Sequence, residues 1–152
     1  MKPARRILTL DSNVFIAALK KDESYSKECF DILSRVPDDF VLSEPSIVYQ
    51  EVCGTLARRV GLETAAEARK QLDLIIHPGL LANCSRPFCI SAFALCHEYG
   101  VYAIDGMYLK VALDDHAALL SLDREDFITR VNRKKPSIEA YHVSDFSRQL
   151  VD

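Results

Sequence analysis

Short apolar runs that alternate with longer segments of helical periodicity most constrain the fold of this chain. The runs Ile7–Leu10, Phe40–Leu42 and Ala117–Leu122 are too short for typical helices and contain few polar residues. A strand of this composition is usually buried on both faces, as in a parallel sheet that is covered by helices. The alternation therefore predicts an α/β fold with a central parallel sheet.

The segments between the runs carry start and stop signals for helices. Helices are predicted over Asn13–Lys20, from Ser24 or Ser26 to Pro37, from Ser43–Ser46 through Glu51 to Arg59, and over Glu63–Ile75, Pro87–Tyr99 and Gly106–Leu113. A short helix after Asp123, a last strand near Tyr141–Val143 and a helix from Ser144 complete the chain. His77-Pro78-Gly79 is predicted to break a helix, Gly100 to cap one, and Val101–Ile104 to be a link that leads to Asp105.

The length and composition favour one soluble globular domain over residues 1–152. The chain has 152 residues, of which 49% are hydrophobic and 27% charged, without repeats or linker-like stretches. No apolar run approaches the roughly 18 residues that a membrane-spanning helix needs. The start of the chain, Met1–Arg6, leads into a strand-like run and has no signal-peptide core. We therefore expect a cytoplasmic protein that does not enter a membrane.

The cysteines argue against a structural zinc site, and the net charge argues against a protein that coats nucleic acid. Five cysteines, an odd number, lie mostly in apolar stretches, which favours free thiols in a reducing compartment. Cys84 and Cys89 are spaced too widely for a Cys-x-x-Cys zinc site, and no second pair accompanies them. The net charge of −3 argues against a protein that coats nucleic acid, although an enzyme that touches RNA briefly remains possible.

Four acidic residues are placed where they can meet at one edge of the sheet. Asp11 and Asp123 each follow an apolar strand directly, and ligand sites of open α/β sheets lie beyond the carboxyl ends of the strands. Glu51 lies on the helix after the second strand, and Asp105 just precedes another helix. Carboxylates crowded together resist joint ionisation unless a cation joins them, and hard oxygen ligands suit Mg²⁺ or Mn²⁺. Metal-assisted phosphodiester hydrolysis is the chemistry that this set favours.

Each acid also has a structural interpretation when it is considered alone. Asp11 is more often a helix cap than a ligand, and Asp123 with Arg124 is equally a cap or a surface pair. Asp105 lies between apolar neighbours, where a charge without a function would be poorly solvated. The combination of the four is therefore more informative than any one of them.

Four sequence motifs resemble those of PIN domains, in family order. Ile7–Ile16 resembles the opening strand and helix, with Asn13 two residues after Asp11. Ser46–Val52 resembles the second motif, a helix that carries the Glu. Asp105–Ala112 resembles the third, and Leu119–Asp123 resembles the fourth, which has a small hydroxyl residue two positions before the acid.

The resemblance implies a three-layer α/β/α fold and single-strand-specific ribonuclease activity that uses Mg²⁺ or Mn²⁺. It assigns metal binding to Asp11, Glu51, Asp105 and Asp123, and supporting polar roles to Asn13 and Ser121. Small single-domain members are commonly toxins of toxin–antitoxin modules, similar to VapC, and act as homodimers that a cognate antitoxin inhibits.

The chain departs from the family pattern on the helix of the third motif. Gly106 stands where the family usually has Ala, and Lys110 replaces a small residue. Glycine weakens a helix by about 0.5–1 kcal/mol relative to Ala, so this helix is expected to start loosely or late. Further acids lie nearby at Asp114, Asp115 and Asp126, and we interpret Asp126 as a surface residue.

The mechanistic hypothesis is that Asp11, Asp105 and Asp123 hold one cation, directly or through water. Glu51 then places the attacking water or a second cation, and hydrolysis leaves a 5′-phosphate. One alternative is a phosphohydrolase of the haloacid-dehalogenase type with Asp11 as nucleophile, but such enzymes need a second Asp where this chain has Asn13. The other alternative is a catalytically inactive binding module with the same fold.

Overall fold

The computed structural model describes residues 4–151 of the chain. Met1–Pro3, which contributed to the expectation that no signal peptide is present, and Asp152 lie outside this range. The strands are β1 (Arg6–Leu10), β2 (Phe40–Pro45), β3 (Ile76–Ala82), β4 (Ala118–Ser121) and β5 (Ala140–His142). The helices are α1 (Ser12–Leu19), α2 (Ser26–Leu33), α3 (Ile47–Arg59), α4 (Leu62–Ile75), α5 (Arg86–Tyr99), α6 (Ala103–Asp115), α7 (Thr129–Arg133) and α8 (Val143–Val151).

The five strands form one parallel sheet in the order β3-β2-β1-β4-β5. From β1 the chain proceeds outward to β2 and β3, and it then returns to place β4 on the other side of β1. The crossovers therefore reverse direction between β1 and β4. The carboxyl ends of two such strands diverge and leave a crevice, which is the usual ligand site of an open α/β sheet.

Helices cover both faces of the sheet and give the three-layer α/β/α architecture. Consecutive residues of a strand point to opposite faces, so a strand whose neighbouring side chains are all buried must be covered on both. Leu119 and Leu120 of β4 are fully buried, and so are Thr9 and Leu10 of β1. One group of helices packs in the succession α2, α1, α3, α4, while α5 and α6 pack together and α6 crosses β1, β2 and β4. The predicted fold class is confirmed.

Two predictions of secondary structure are wrong on the β2–β3 side of the sheet. Ser43–Pro45, expected to begin a helix, continues β2 instead, and α3 begins at Ile47. His77-Pro78-Gly79, expected to be only a helix break, lies within β3. Its ladder with β2 has a register shift between Leu42 and Glu44, and the three residues are exposed. An irregular edge strand of this kind tolerates proline and glycine.

The helix of the third motif starts earlier than predicted. It begins at Ala103, so Asp105 lies within its first turn and does not precede it. A Cβ atom at Gly106 would lie 2.4 Å from Sγ of Cys96 and 3.0 Å from the carbonyl oxygen of Ala92, both on α5. Glycine is therefore required for the close approach of α5 and α6, and it does not loosen the start of the helix.

The capping glycine predicted at the end of the fifth helix is confirmed. Gly100 ends α5 with φ of 71°, the left-handed conformation expected of a capping glycine. All five cysteines are free thiols, and Cys29 alone among them is fully buried. Between residues 4 and 151, none of the helices combines the length and the apolar character that crossing a membrane requires.

Candidate metal centre

Asp11 lies at the carboxyl end of β1, beside the crevice between β1 and β4. Its side chain is only 5% exposed, and it makes no capping hydrogen bond to α1. Oδ2 accepts hydrogen bonds from Oγ of Ser121 at 2.7 Å and from Nδ2 of Asn13 at 3.2 Å. Burial raises the pKa of Asp11 to about 6; the Ser121 hydrogen bond opposes this change, and the charges of Glu51 and Asp123 reinforce it. Asp11 therefore occupies the N-cap position of α1, but its side chain does not cap the helix.

Ser121 and Asn13 connect the ends of β1 and β4. Oγ of Ser121 accepts the backbone N–H of Asp123 at 3.0 Å while it donates to Asp11. Oδ1 of Asn13 accepts the backbone N–H of Leu122 at 3.1 Å. The two side chains fix the Asp11 carboxylate relative to the backbone that carries Asp123.

Asp123 follows β4 and begins a single wide helical turn, Arg124–Ile128, which runs directly into α7. Its Oδ1 accepts the backbone N–H of Asp126 at 3.0 Å, so this acid does cap a helix. A capping carboxylate is held in one orientation. Capping and participation in the acidic site are therefore compatible.

The carboxyl of Asp105, in the first turn of α6, interacts electrostatically with all the other predicted acids. Its pKa is raised to about 7, first by burial and then by the charges of Asp11, Asp123, Glu51 and Asp126. Repulsion of this kind requires that the carboxylates lie near one another. The four predicted acids therefore lie close enough at the carboxyl edge of the sheet for their charges to interact.

Glu51 reaches this edge from α3. Its Oε1 accepts a hydrogen bond of 2.9 Å from the hydroxyl of Tyr108, which lies on α6 and is fully buried. Burial and the charges of Glu44, Glu51 and Asp11 raise the pKa of Tyr108 well above its usual range, so the phenol stays neutral and acts as a donor. Sequence reasoning missed this residue, although its position three residues after Asp105 places both on one face of α6.

Glu44 is the second residue near the site that sequence reasoning missed. Its side chain is completely buried, and Oε1 accepts the backbone N–H of Leu10 at 2.7 Å, where β1 and β2 cease to pair. Oε2 has no hydrogen-bond partner. Burial and the charge of Asp11 raise its pKa well above the usual value, against the effect of the Leu10 hydrogen bond. Nothing in the sequence distinguishes Glu44 from an exposed loop acid.

Two neighbouring acids take part in other interactions. Asp126 contributes to the repulsion at Asp105, but its Oδ1 forms an ion pair of 3.0 Å with Nη2 of Arg130. Asp115, at the opposite end of α6 from Asp105, accepts a hydrogen bond from Oγ of Ser43. Asp115 therefore lies outside the acidic site.

Among residues 4–151, the four carboxylates have no ion pair with a positively charged side chain. Across the part of the chain that the structure describes, no Lys, Arg or His forms an ion pair with Asp11, Glu51, Asp105 or Asp123. Within residues 4–151, no three acidic, histidine or cysteine side chains are close enough to enclose an ion directly. Mg²⁺ usually binds only one or two carboxylates and keeps several water ligands. The donor set therefore fits Mg²⁺ or Mn²⁺ and does not fit a closed zinc site.

Solved structures with low sequence identity share this fold. VapC20 of Mycobacterium tuberculosis, a Sarcin-Ricin loop cleaving toxin, aligns with a TM-score of 0.65 and 14% identity over 78% of this chain and 91% of that one. VapBC2 of Rickettsia felis, bound to a promoter DNA fragment, aligns with a TM-score of 0.60 and 13% identity over 90% of this chain and 98% of that one. A toxin–antitoxin complex of Klebsiella pneumoniae aligns with a TM-score of 0.59 and 19% identity over 80% of this chain and 88% of that one.

The amino-acid sequence matches a protein-family model whose fold agrees with these structures. No curated protein sequence matches the chain significantly. The family model of the PIN domain matches residues 8–134, a range that contains all four carboxylates of the site. The match covers most of the chain, and the fold and the order of the four motifs agree with it. This chain therefore belongs to the PIN domain family.

Proposed function

We propose that this chain is an endoribonuclease that hydrolyses single-stranded RNA with Mg²⁺ or Mn²⁺, and that it is the toxin of a toxin–antitoxin pair. The observation that carries the proposal is that four carboxylates interact at the carboxyl edge of the sheet, where no Lys, Arg or His of the described residues forms an ion pair with them. PIN domain membership supports nuclease chemistry at this position.

In this proposal Asp11, Asp105 and Asp123 would hold the ion, partly through water, and Glu51 would place the attacking water or a second ion. The ion supplies an activated water and stabilises the charge that develops on the phosphate oxygens. Ser121 and Asn13 keep the Asp11 carboxylate in one rotamer, because both donate to Oδ2. The raised pKa of Asp105 means that this carboxyl must release its proton when an ion binds near neutral pH.

The partner that we propose is an antitoxin protein encoded beside the toxin. Structural neighbours include a toxin–antitoxin complex and a VapBC pair, which supports this class of partner. We further propose that residues 1–152 form a single nuclease domain, that the protein acts in the cytoplasm, and that it forms a homodimer. Co-expression with the adjacent reading frame, followed by purification of a complex that does not cleave RNA, tests the inhibitory role.

Cleavage of a fluorescent single-stranded RNA tests the nuclease function. The protein is stripped with EDTA and assayed with Mg²⁺ or Mn²⁺ restored. Asp105→Asn should reduce the rate at least about 100-fold, because it removes one of the carboxylates that hold the ion. Asp114→Asn is the matched control, since Asp114 lies on the same helix but pairs with Lys110 at 2.8 Å. It should retain wild-type activity.

Two results would contradict the proposal. Cleavage that persists in EDTA, or that survives Asp105→Asn, would exclude a carboxylate-held ion. Turnover of a small phosphate ester with formation of a phosphorylated Asp11 would indicate the haloacid-dehalogenase type of chemistry instead.

A further inference from the structure

Within the described residues, the Tyr108 hydroxyl makes the one hydrogen bond between the helix of Asp105 and the side chain of Glu51. It donates to Oε1 of Glu51 at 2.9 Å, from α6 to α3, and the tyrosine side chain is fully buried. We infer that Tyr108 is a positioning residue that fixes the Glu51 carboxylate for ion binding. The inference rests on the proposed metal-dependent nuclease function.

A neutral donor suits this role better than a cation would. A Lys or Arg at this position would pair with Glu51 and compensate the charge that is needed to attract a divalent ion. A phenol orients the carboxylate and leaves its charge in place.

The location of Glu51 explains why it needs such a partner. Asp11 is held by Ser121 and Asn13, and Asp123 by the backbone N–H of Asp126. Glu51 has a longer side chain with more rotatable bonds, and restricting it costs conformational entropy. The phenol contributes the hydrogen bond that offsets this cost before an ion arrives. Asp105 and Tyr108 are one helical turn apart, so α6 sets the positions of both acids of the pair Asp105 and Glu51.

The chain contains a matched control for removing this hydroxyl. Tyr49 also lies on α3 and donates to a carboxylate, Oδ1 of Asp73 on α4, at 2.7 Å. That contact is exposed and lies among surface residues. Tyr108→Phe and Tyr49→Phe therefore remove the same chemical group from the same type of hydrogen bond, inside and outside the proposed centre.

The experiment measures Mn²⁺ affinity by electron paramagnetic resonance in the wild type, the two Phe variants, Glu51→Gln and the double variant Tyr108→Phe with Glu51→Gln. Loss of a residue that orients a metal ligand typically weakens binding by about 10- to 100-fold. We expect at least about tenfold for Tyr108→Phe and no change for Tyr49→Phe. In the Glu51→Gln background, Tyr108→Phe should change the affinity by less than about twofold, because its effect passes through Glu51.

A rescue variant separates positioning from packing. Tyr108→4-aminophenylalanine keeps the ring and a neutral N–H donor, and it should restore Mn²⁺ affinity to within about twofold of the wild type. Failure of this rescue in a folded protein would overturn the inference. So would wild-type affinity in Tyr108→Phe, or an equal loss in both backgrounds. Wild-type protein that binds no Mn²⁺ would instead overturn the proposed function, and this inference with it.

Discussion

Asp11→Asn is expected to make the metal-free protein more stable at neutral pH. The carboxyl of Asp11 is almost completely buried, and its pKa is raised from the ordinary value of 3.8 to about 6. A carboxyl whose folded-state pKa is raised contributes stability that is complete below the unfolded pKa and is lost as the pH rises through the folded pKa. Above about pH 6, the buried charge therefore costs about 3 kcal/mol, and Asn removes that cost.

Part of the gain is offset because an uncharged amide is a weaker hydrogen-bond acceptor than a carboxylate. An amide oxygen in the place of Oδ2 still accepts from Ser121 and Asn13. The backbone N–H of Ser12 also lowers the pKa of Asp11, and an uncharged amide accepts such a hydrogen bond more weakly than a carboxylate does. Weakening of these bonds costs about 1 kcal/mol. The net stabilisation expected near pH 8 is therefore about 2 kcal/mol.

Urea unfolding in EDTA measures this effect at two pH values. Near pH 4 the wild type and Asp11→Asn should differ by less than about 1 kcal/mol, because the wild-type carboxyl is then mostly protonated. Near pH 8 the variant should be more stable and should not cleave RNA. Asp114→Asn, at an exposed ion pair, is the control and should change stability by at most about 0.5 kcal/mol at either pH. A variant no more stable than the wild type at pH 8, or stabilised equally at both pH values, would refute the reasoning.

Three further variants test the packing and electrostatics around the site. Gly106→Ala should destabilise the protein by about 1–3 kcal/mol in thermal unfolding, because the added Cβ meets Sγ of Cys96 at 2.4 Å and the backbone carbonyl oxygen of Ala92 at 3.0 Å. Gly106→Ala should cost less in a Cys96→Ala background, because only the contact with Ala92 then remains; an equal loss in both backgrounds would refute the contribution of Cys96. The pKa of Glu44 is raised on folding, so the protein should lose stability as the pH rises above the pKa of this carboxyl in the unfolded chain. Glu44→Gln should make that loss smaller in urea unfolding with EDTA; an unchanged pH dependence would mean that Glu44 does not bind a proton on folding. Ser121→Ala should cost about 1–3 kcal/mol near pH 8 and less near pH 4, because its hydroxyl donates to the ionised form of Asp11; a loss that does not depend on pH would argue against this charge-assisted bond.

The part of the site that lies on the strand ends could be predicted from the sequence. Asp11 and Asp123 each follow an apolar run, and parallel strands bring their carboxyl ends to one edge. No knowledge of long-range contacts is needed for that step. The capping glycine at Gly100 was predictable for a similar reason, since a local pattern determines a local conformation.

The remaining features depend on contacts between distant residues. β3 has an exposed His77-Pro78-Gly79 sequence, so neither its composition nor its periodicity indicates a strand, and only pairing with β2 makes it one. The buried side chain of Glu44 accepts the backbone N–H of Leu10 at a point where the backbones of β1 and β2 no longer pair. No pattern within either strand indicates this contact. Helical spacing places Tyr108 beside Asp105, but its partner Glu51 is 57 residues away.

Anomalous diffraction at the manganese edge, from crystals grown with Mn²⁺, tests the central claim most directly. We predict one or two peaks in the crevice between β1 and β4, with at least one oxygen of Asp11, Asp105 or Asp123 at about 2–2.5 Å and water bridging to other carboxylates. The same peaks should be absent in crystals of Asp105→Asn. A manganese ion bound only elsewhere on the surface, or no ion under conditions in which the protein cleaves RNA, would contradict a carboxylate-held metal centre.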